Sequence, residues 1–359
     1  MRVGVHKILM NSPNDVSGLE RLIADGTVNP REIVALIGKT EGNGGANDFT
    51  RGFATLSFAL LLARHLGVAA EEVMHRVAFV WSGGTEGVLS PHATVFTRSE
   101  AAPAGAPRLA LGIAVTRDFA PEEVGTMTEV REVAEAVRRA QGAAGIESAA
   151  DVHYVQVKGP LLTPAAVADA DRRGAKLVTR DPNGSKPFAR GATALGVALA
   201  LGEVAADALT EDAIAQRMDL YSSMANSSDG GQLRNCEVLL FGNSPAAGGD
   251  LRIGHAVLRD VIDAEGVRGA IAAAQGGGTA DPARVVAMFA KAEAPVGGLL
   301  RGRRTTMLSD ADINYERHAR AALGAVIASV TGDAAIFVSG GTEHQCAPGE
   351  APIAAIVRA

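Results

Sequence analysis

The chain has 359 residues, 47% of them hydrophobic and 21% charged, with 42 glycines, 4% aromatics, a net charge of -6 and a pI near 5.8. That length predicts two or three domains of roughly 100 to 150 residues over a core of Ala, Val, Leu and Ile. The acidic balance excludes the electrostatic footprint of a nucleic-acid binder, and no apolar run is long enough to predict a membrane span.

The first seven residues, Met1 to Lys7, lack the apolar stretch of a signal peptide, so a cytoplasmic protein is expected. Buried strands are predicted from short β-branched runs at 33–37, 77–81, 109–115, 152–157, 285–290 and 335–338. Between them, apolar residues at helical spacing predict helices over 50–66, 121–140, 164–173, 189–204 and 317–330. Pro121 and Pro164 suit first-turn positions. The class is therefore α/β or α+β. Flexible, core-poor stretches at 101–107 and 244–249 predict domain boundaries, giving units 1–104, 108–248 and 251–359.

Those thirds share an order of features. A strand ends in Lys39, Lys158 or Lys291; a helix opens around Phe49-Thr50-Arg51, Phe188-Ala189-Arg190 or His318-Ala319-Arg320; and a Ser-x-Gly-x-Glu/Gln turn follows. The turns run from Ser82 to Glu86, Ser228 to Gln232 and Ser339 to Glu343. Ser227 is the adjacent rival of Ser228. Only six of the 34 basic residues are Lys, and half of these occupy the equivalent strand ends. Burial can lower the pKa of Lys until a neutral amine is available, which Arg cannot offer. Such an amine can activate a Ser hydroxyl, and glycines after the Ser leave backbone N–H groups free to hold an oxyanion. Taken singly, each Lys reads as a capped strand end and each Ser-Gly-Gly as a tight turn; their threefold recurrence favours a shared site. Nine such side chains around one pseudo-threefold axis fit a small planar ring with three carbonyls.

Other motifs fail. Gly38-Lys39-Thr40 lacks the earlier Gly of a phosphate loop, and no Ser-x-x-Lys of the β-lactamase kind occurs. His92 and His344 have no partner at zinc-ligand spacing and read as turn or core residues, so no catalytic metal or cofactor is indicated. Cys236 and Cys346 fit no disulfide framework and are expected to be free thiols in a reducing compartment.

The runs from Gly38 to Arg51, Ser82 to His92, Val157 to Pro164, Phe289 to Ala294 and Ser339 to Gln345 resemble the cyanuric acid hydrolase and barbiturase family, and the likeness spans essentially the whole chain. It implies three similar repeat domains in a pseudo-threefold β-barrel surrounded by helices, and a homotetramer. It also implies Ser228 as nucleophile and Lys158 as base. Arg51, Arg190, Arg320, Ser82, Gly83, Asp229, Ser339, Gly340, Lys39 and Lys291 would bind a cyclic imide. A structural Mg²⁺ or Ca²⁺ is further implied, held by Glu293, Gln345 and the loop at Thr342, Cys346, Ala347 and Glu350, where Cys346 to Glu350 replaces a more glycine-rich stretch. The expected activity is ring opening of cyanuric acid to carboxybiuret. Opening of barbituric acid is the alternative within the family, and a non-catalytic cyclic-imide-binding protein the alternative outside it.

Overall fold

The structure, a computed structural model, describes residues 1–359. Its first sheet contains β1 (Arg2–Leu9), β2 (Ile33–Thr40), β3 (Ala78–Gly83) and β4 (His92–Ser99). The second contains β5 (Arg108–Val115), β6 (Val152–Pro160), β7 (Ala225–Gly230) and β8 (Glu237–Ser244). In the third are β9 (Leu251–Leu258), β10 (Val285–Ala292), β13 (Phe337–Gly340) and β14 (Ala351–Arg358), while β11 (Leu299–Leu300) and β12 (Arg303–Arg304) form a small hairpin. Strand order is β1-β4-β2-β3, β5-β8-β6-β7 and β9-β14-β10-β13, and in each sheet the last-named pair is parallel and the others antiparallel. The fold is mixed α/β with separate sheets; the closed barrel expected from the resemblance is not what the strands form.

The eight helices are α1 (Ser17–Ala24), α2 (Thr50–Leu66), α3 (Ala70–Arg76), α4 (Met127–Ala143), α5 (Pro164–Arg173), α6 (Lys186–Leu201), α7 (Ala264–Gln275) and α8 (Tyr315–Thr331). None alone is long and apolar enough to cross a membrane. α5 starts as expected: the Thr163 hydroxyl accepts from the Ala166 N–H at 3.1 Å, ahead of Pro164. The helix expected at Pro121 begins six residues later, because Pro121–Glu123 forms a separate turn and Thr126 provides the cap by accepting from the Thr128 N–H.

Each sheet buries one face against its own helices. Leu36, Phe58, Leu62 and Trp81 fill this layer in the first sheet, Val137, Val155, Val197 and Leu240 in the second, and Ile271, Leu323, Ile327 and Ile353 in the third. The opposite faces meet in a common core of Phe96, Tyr154, Phe241, Phe289 and Phe337, with ring centroids 5.0–6.4 Å apart. This core fixes the sheets against one another. The adjoining ends of their parallel strands, which carry the lysines and serines, are held in place by it.

Candidate active site

Parallel pairing brings each lysine level with a serine. Lys39 stands beside Ser82, Lys158 beside Ser228 and Lys291 beside Ser339. Gly83 leaves no room for a side chain, since a Cβ there would lie 1.7 Å from Asp48 Oδ2. Of the three arginines only Arg51 opens its helix; Arg190 and Arg320 sit more than a turn inside α6 and α8. Helical phase alone was too coarse to place them at a common depth.

A small polar cavity is lined by Arg51, Ser82, Gly83, Lys158, Arg190, Ser228, Asp229, Arg320, Ser339 and Gly340, together with Gly44, Trp81, Lys186 and Glu316. Of the residues expected at the ring, Lys39 and Lys291 do not line it and lie fully buried. Lys39 Nζ donates to Ser82 Oγ at 3.0 Å. The other amines point elsewhere: Lys158 Nζ donates to the carbonyls of Asp229 at 2.5 Å and Trp81 at 3.3 Å, and Lys291 Nζ to those of Ser227 and Gly340. Ser228 Oγ accepts from Gln156 Nε2 at 3.3 Å, and Ser339 Oγ donates to Asn226 Oδ1 at 3.2 Å. The direct Ser–Lys hydrogen bond is therefore made in the first sheet, and Lys158 and Ser228 of the second make none. Ser227 Oγ is buried without a partner and its N–H donates to Gln345, so Ser228 is the one of the two that reaches the cavity.

Burial drives all three amines toward neutrality. It lowers Lys39 well below its usual range, assisted by Arg320. It brings Lys158 to about 7, assisted by Arg51, and Lys291 to about 7, assisted by Arg190.

Sequence reasoning spelled out Glu86 and Glu343 as turn ends but gave them no role. Each binds an arginine from elsewhere in the chain. Glu86 takes Arg320 at 2.6 and 2.9 Å, and Glu343 takes Arg190 at 2.7 and 2.8 Å, both as two-pronged pairs. Burial alone would raise Glu86, but Arg320 overrides it and holds the carboxyl at about 2. Glu316 is likewise held at about 2 against burial, chiefly by Arg190 and Lys186. Lys186 and Glu316 lie four residues before Arg190 and Arg320, one helical turn along the same face, and that spacing was the signal that could have found them. The matching turn after Ser228 ends in the exposed Gln232, so Arg51 has no carboxylate partner. It donates to the carbonyls of Gly45 at 2.9 Å and Asp229 at 3.4 Å, and its Nε is buried without a partner.

No three His, Cys, Asp or Glu side chains come together as a metal cage. Around Glu293 the donors are oxygen. Its carboxylate accepts from the Thr342 hydroxyl at 2.8 Å and the Ala294 N–H at 2.8 Å and has no basic partner, so burial, with Glu343 and Glu316 next, raises its pKa. Thr342, Cys346, Pro348 and Gly349 line a cleft with it, from which Gln345, Ala347 and Glu350 are absent. The Gln345 side chain serves Ser227 instead, and the Ala347 carbonyl accepts from the Glu350 N–H. A carboxylate without a basic partner, beside the Thr342 hydroxyl, is the oxygen chemistry a hard cation takes.

The sequence profile described as an amidohydrolase ring-opening protein matches residues 4–358. The chain belongs to that family. A cyclic amide hydrolase of Azorhizobium caulinodans is 70% identical over the full length of both chains. A cyanuric acid amidohydrolase of Pseudomonas sp. (strain ADP) is 51% identical over 99% of each. A solved structure of a cyanuric acid hydrolase superposes with a TM-score of 0.95 at 50% identity, covering 100% of this chain and 99% of that one. The cyanuric acid hydrolase of A. caulinodans superposes at 0.91 with 47% identity, over 99% of both. The ring-opening family reading from the sequence is borne out, and with it the assignment as a hydrolase of cyclic amides.

Proposed function

We propose that this chain hydrolyses cyanuric acid to carboxybiuret, which loses carbon dioxide to become biuret, and that Ser228 and Lys158 carry the reaction. The observation that carries this reading is the single cavity in which three serines, three arginines and Lys158 converge. A flat ring with three carbonyls and three N–H groups matches that lining. In this reading the units 1–104, 108–248 and 251–359 are repeats around a pseudo-threefold axis, consistent with the common strand order of their sheets.

Neutral Lys158 takes the Ser228 hydroxyl proton as Oγ attacks a ring carbonyl, and the negative charge forms on that carbonyl oxygen. Arg51, the arginine without a carboxylate partner, is the donor free to stabilise it. The Lys158 proton passes to the departing ring nitrogen as the C–N bond breaks. Water then cleaves the acyl-enzyme, with Lys158 again accepting and returning a proton. Arg190 and Arg320, fixed by Glu343 and Glu86, and Ser82 and Ser339 orient the rest of the ring. A cation at Glu293 and the neighbouring loop carbonyls would supply structural positive charge behind Glu343. Self-association into a homotetramer belongs to the same reading, and the exposed α2 stripe of Phe53, Leu56 and Leu60 is a surface it would cover.

A second reading puts the reaction on Ser82 and Lys39, because that pair makes the direct hydrogen bond. Single variants separate the two. S228A and K158A are expected to abolish ring opening while S82A keeps measurable turnover; the reverse pattern moves the chemistry to the first sheet. Assay with barbituric acid alongside cyanuric acid identifies the preferred ring. Stoichiometric binding of both with no ring opening would establish a binding protein instead.

A further inference from the structure

The three lysines differ in what stands opposite them across the sheet. In the antiparallel pairing Lys39 faces His92 of β4, whereas Lys158 faces Glu237, the first residue of β8. β14, which pairs with β10, contains no acidic residue to face Lys291. His92 is no counterion: its Nδ1 lies 2.8 Å from the Ser90 carbonyl, and burial lowers its pKa to about 4, so the ring is neutral. Glu237 Oε2, in contrast, is sealed from solvent and has no hydrogen-bond partner; burial lifts this carboxyl to about 7, and Lys158 draws it back toward the charged form.

Directly opposed residues of an antiparallel pair project from the same face of the sheet. Lys158 and Glu237 both reach toward β3: the amine donates to the Trp81 carbonyl, and the carboxylate lies beside Phe79 two residues away. On its outer side Glu237 borders a groove lined by His75 and Arg76 at the end of α3 and by Arg234 ahead of β8. The charged groups acting on Lys158 are Arg51 and Lys291, which lower its pKa, and Asp229 and Glu237, which raise it. Without Glu237 only Asp229 would oppose burial and the two cations, and the amine would be a weaker base; a base works best when its pKa lies near the operating pH.

We propose that Glu237 is a positioning residue of the ring-opening reaction, a carboxylate behind Lys158 that compensates the ammonium formed when Lys158 takes the Ser228 proton. The inference rests on the Ser228–Lys158 reading. In that step the Ser228 O–H bond breaks, an N–H bond forms on Lys158, and Oγ bonds to the ring carbon while the carbonyl oxygen becomes negative. The positive charge created on Nζ then lies opposite a carboxylate in the same sheet. A buried Asp behind the histidine of a Ser-His-Asp triad stabilises its imidazolium through a direct hydrogen bond, whereas Glu237 makes no ion pair with Lys158 and acts on it through space. Neither of the other two lysines has such a group across its sheet; the carboxylates that act on them, Glu86 and Asp48 on Lys39 and Glu343 and Glu316 on Lys291, come from elsewhere in the chain.

The test measures kcat and KM of full-length wild type, E237Q and E237D on cyanuric acid across about pH 5 to 10, with melting temperatures alongside. E237Q is expected to lower kcat about 100-fold with little change in KM. It is also expected to move the acid limb of kcat/KM to lower pH, because one of the two charges that raise Lys158 has gone while Asp229 stays. E237D keeps the charge and should hold the limb near its wild-type position. The limb is read on the residual turnover of E237Q, so reduced folding does not mask it. An unmoved limb with kcat within about threefold of wild type, in an enzyme that S228A inactivates, overturns the role of Glu237 alone. Full turnover by S228A overturns the middle-pair reading itself, and this inference with it.

Discussion

Glu129, inside α4, is a fully buried carboxyl away from the cavity. Its Oε2 accepts from the Gly125 N–H at 2.6 Å and its Oε1 from the Cys236 thiol at 3.5 Å. Burial raises its pKa from 4.5 to about 8, so the side chain is mostly neutral at pH 7. A carboxyl whose pKa is higher folded than unfolded binds its proton more tightly in the folded state. The stability it contributes is complete below the unfolded value of 4.5 and is lost as pH rises to about 8. A rise of that size corresponds to about 5 kcal/mol in total, at roughly 1.4 kcal/mol per pH unit. Glu129→Gln keeps the size and the acceptor for Gly125 but cannot titrate. Urea unfolding of both proteins should therefore show the variant gaining about 3 kcal/mol over wild type between about pH 5.5 and pH 8.5. A difference constant to within about 1 kcal/mol across that range would refute the reasoning.

Gly341 has φ of +77°, and a Cβ there would lie 2.3 Å from Arg190 Cζ. Gly341→Ala should displace the guanidinium from Glu343 and lower kcat/KM about 100-fold, which steady-state kinetics on cyanuric acid would read. If a hard cation sits at Glu293, EDTA should lower the melting temperature of the wild type and leave Glu293→Gln unaffected. Equal melting temperatures with and without the chelator would exclude it.

What the sequence made legible follows from how strongly each segment speaks for itself. The strands ending at the lysines are β-branched and apolar, and their positions could be read directly. β7 could not: Ala225–Gly230 reads Ala-Asn-Ser-Ser-Asp-Gly, with no β-branched residue. It is a strand because it pairs in parallel with β6, a placement reinforced by Gln156 donating to the Asn226 carbonyl and Gln345 accepting from the Ser227 N–H, residues 70 and 118 positions away. The choice between Ser227 and Ser228 stayed open in the sequence for that reason, and strand alternation is what turns Ser228 to the cavity. Side-chain direction was equally illegible. The recurrence of Lys and Ser foresaw the pairing of their backbones, but not that Lys158 would turn toward Asp229 and Trp81 while Lys39 meets Ser82. Strands β1, β4, β8 and β9 were missed because their runs mix small, polar and apolar residues, and β14 because its apolar run is broken by Pro352 and alanines.

The aromatic core between the sheets bears on how the chain assembles in time. Each sheet can form from residues within its own third, but the face carrying Phe96, Phe241 or Phe289 stays wet until its counterparts arrive. A lone third would therefore expose an apolar face, which docking of the three buries. Once docked, the thirds are held by that face and not by the peptide links between them, so a chain nicked within 101–107 would stay in one piece.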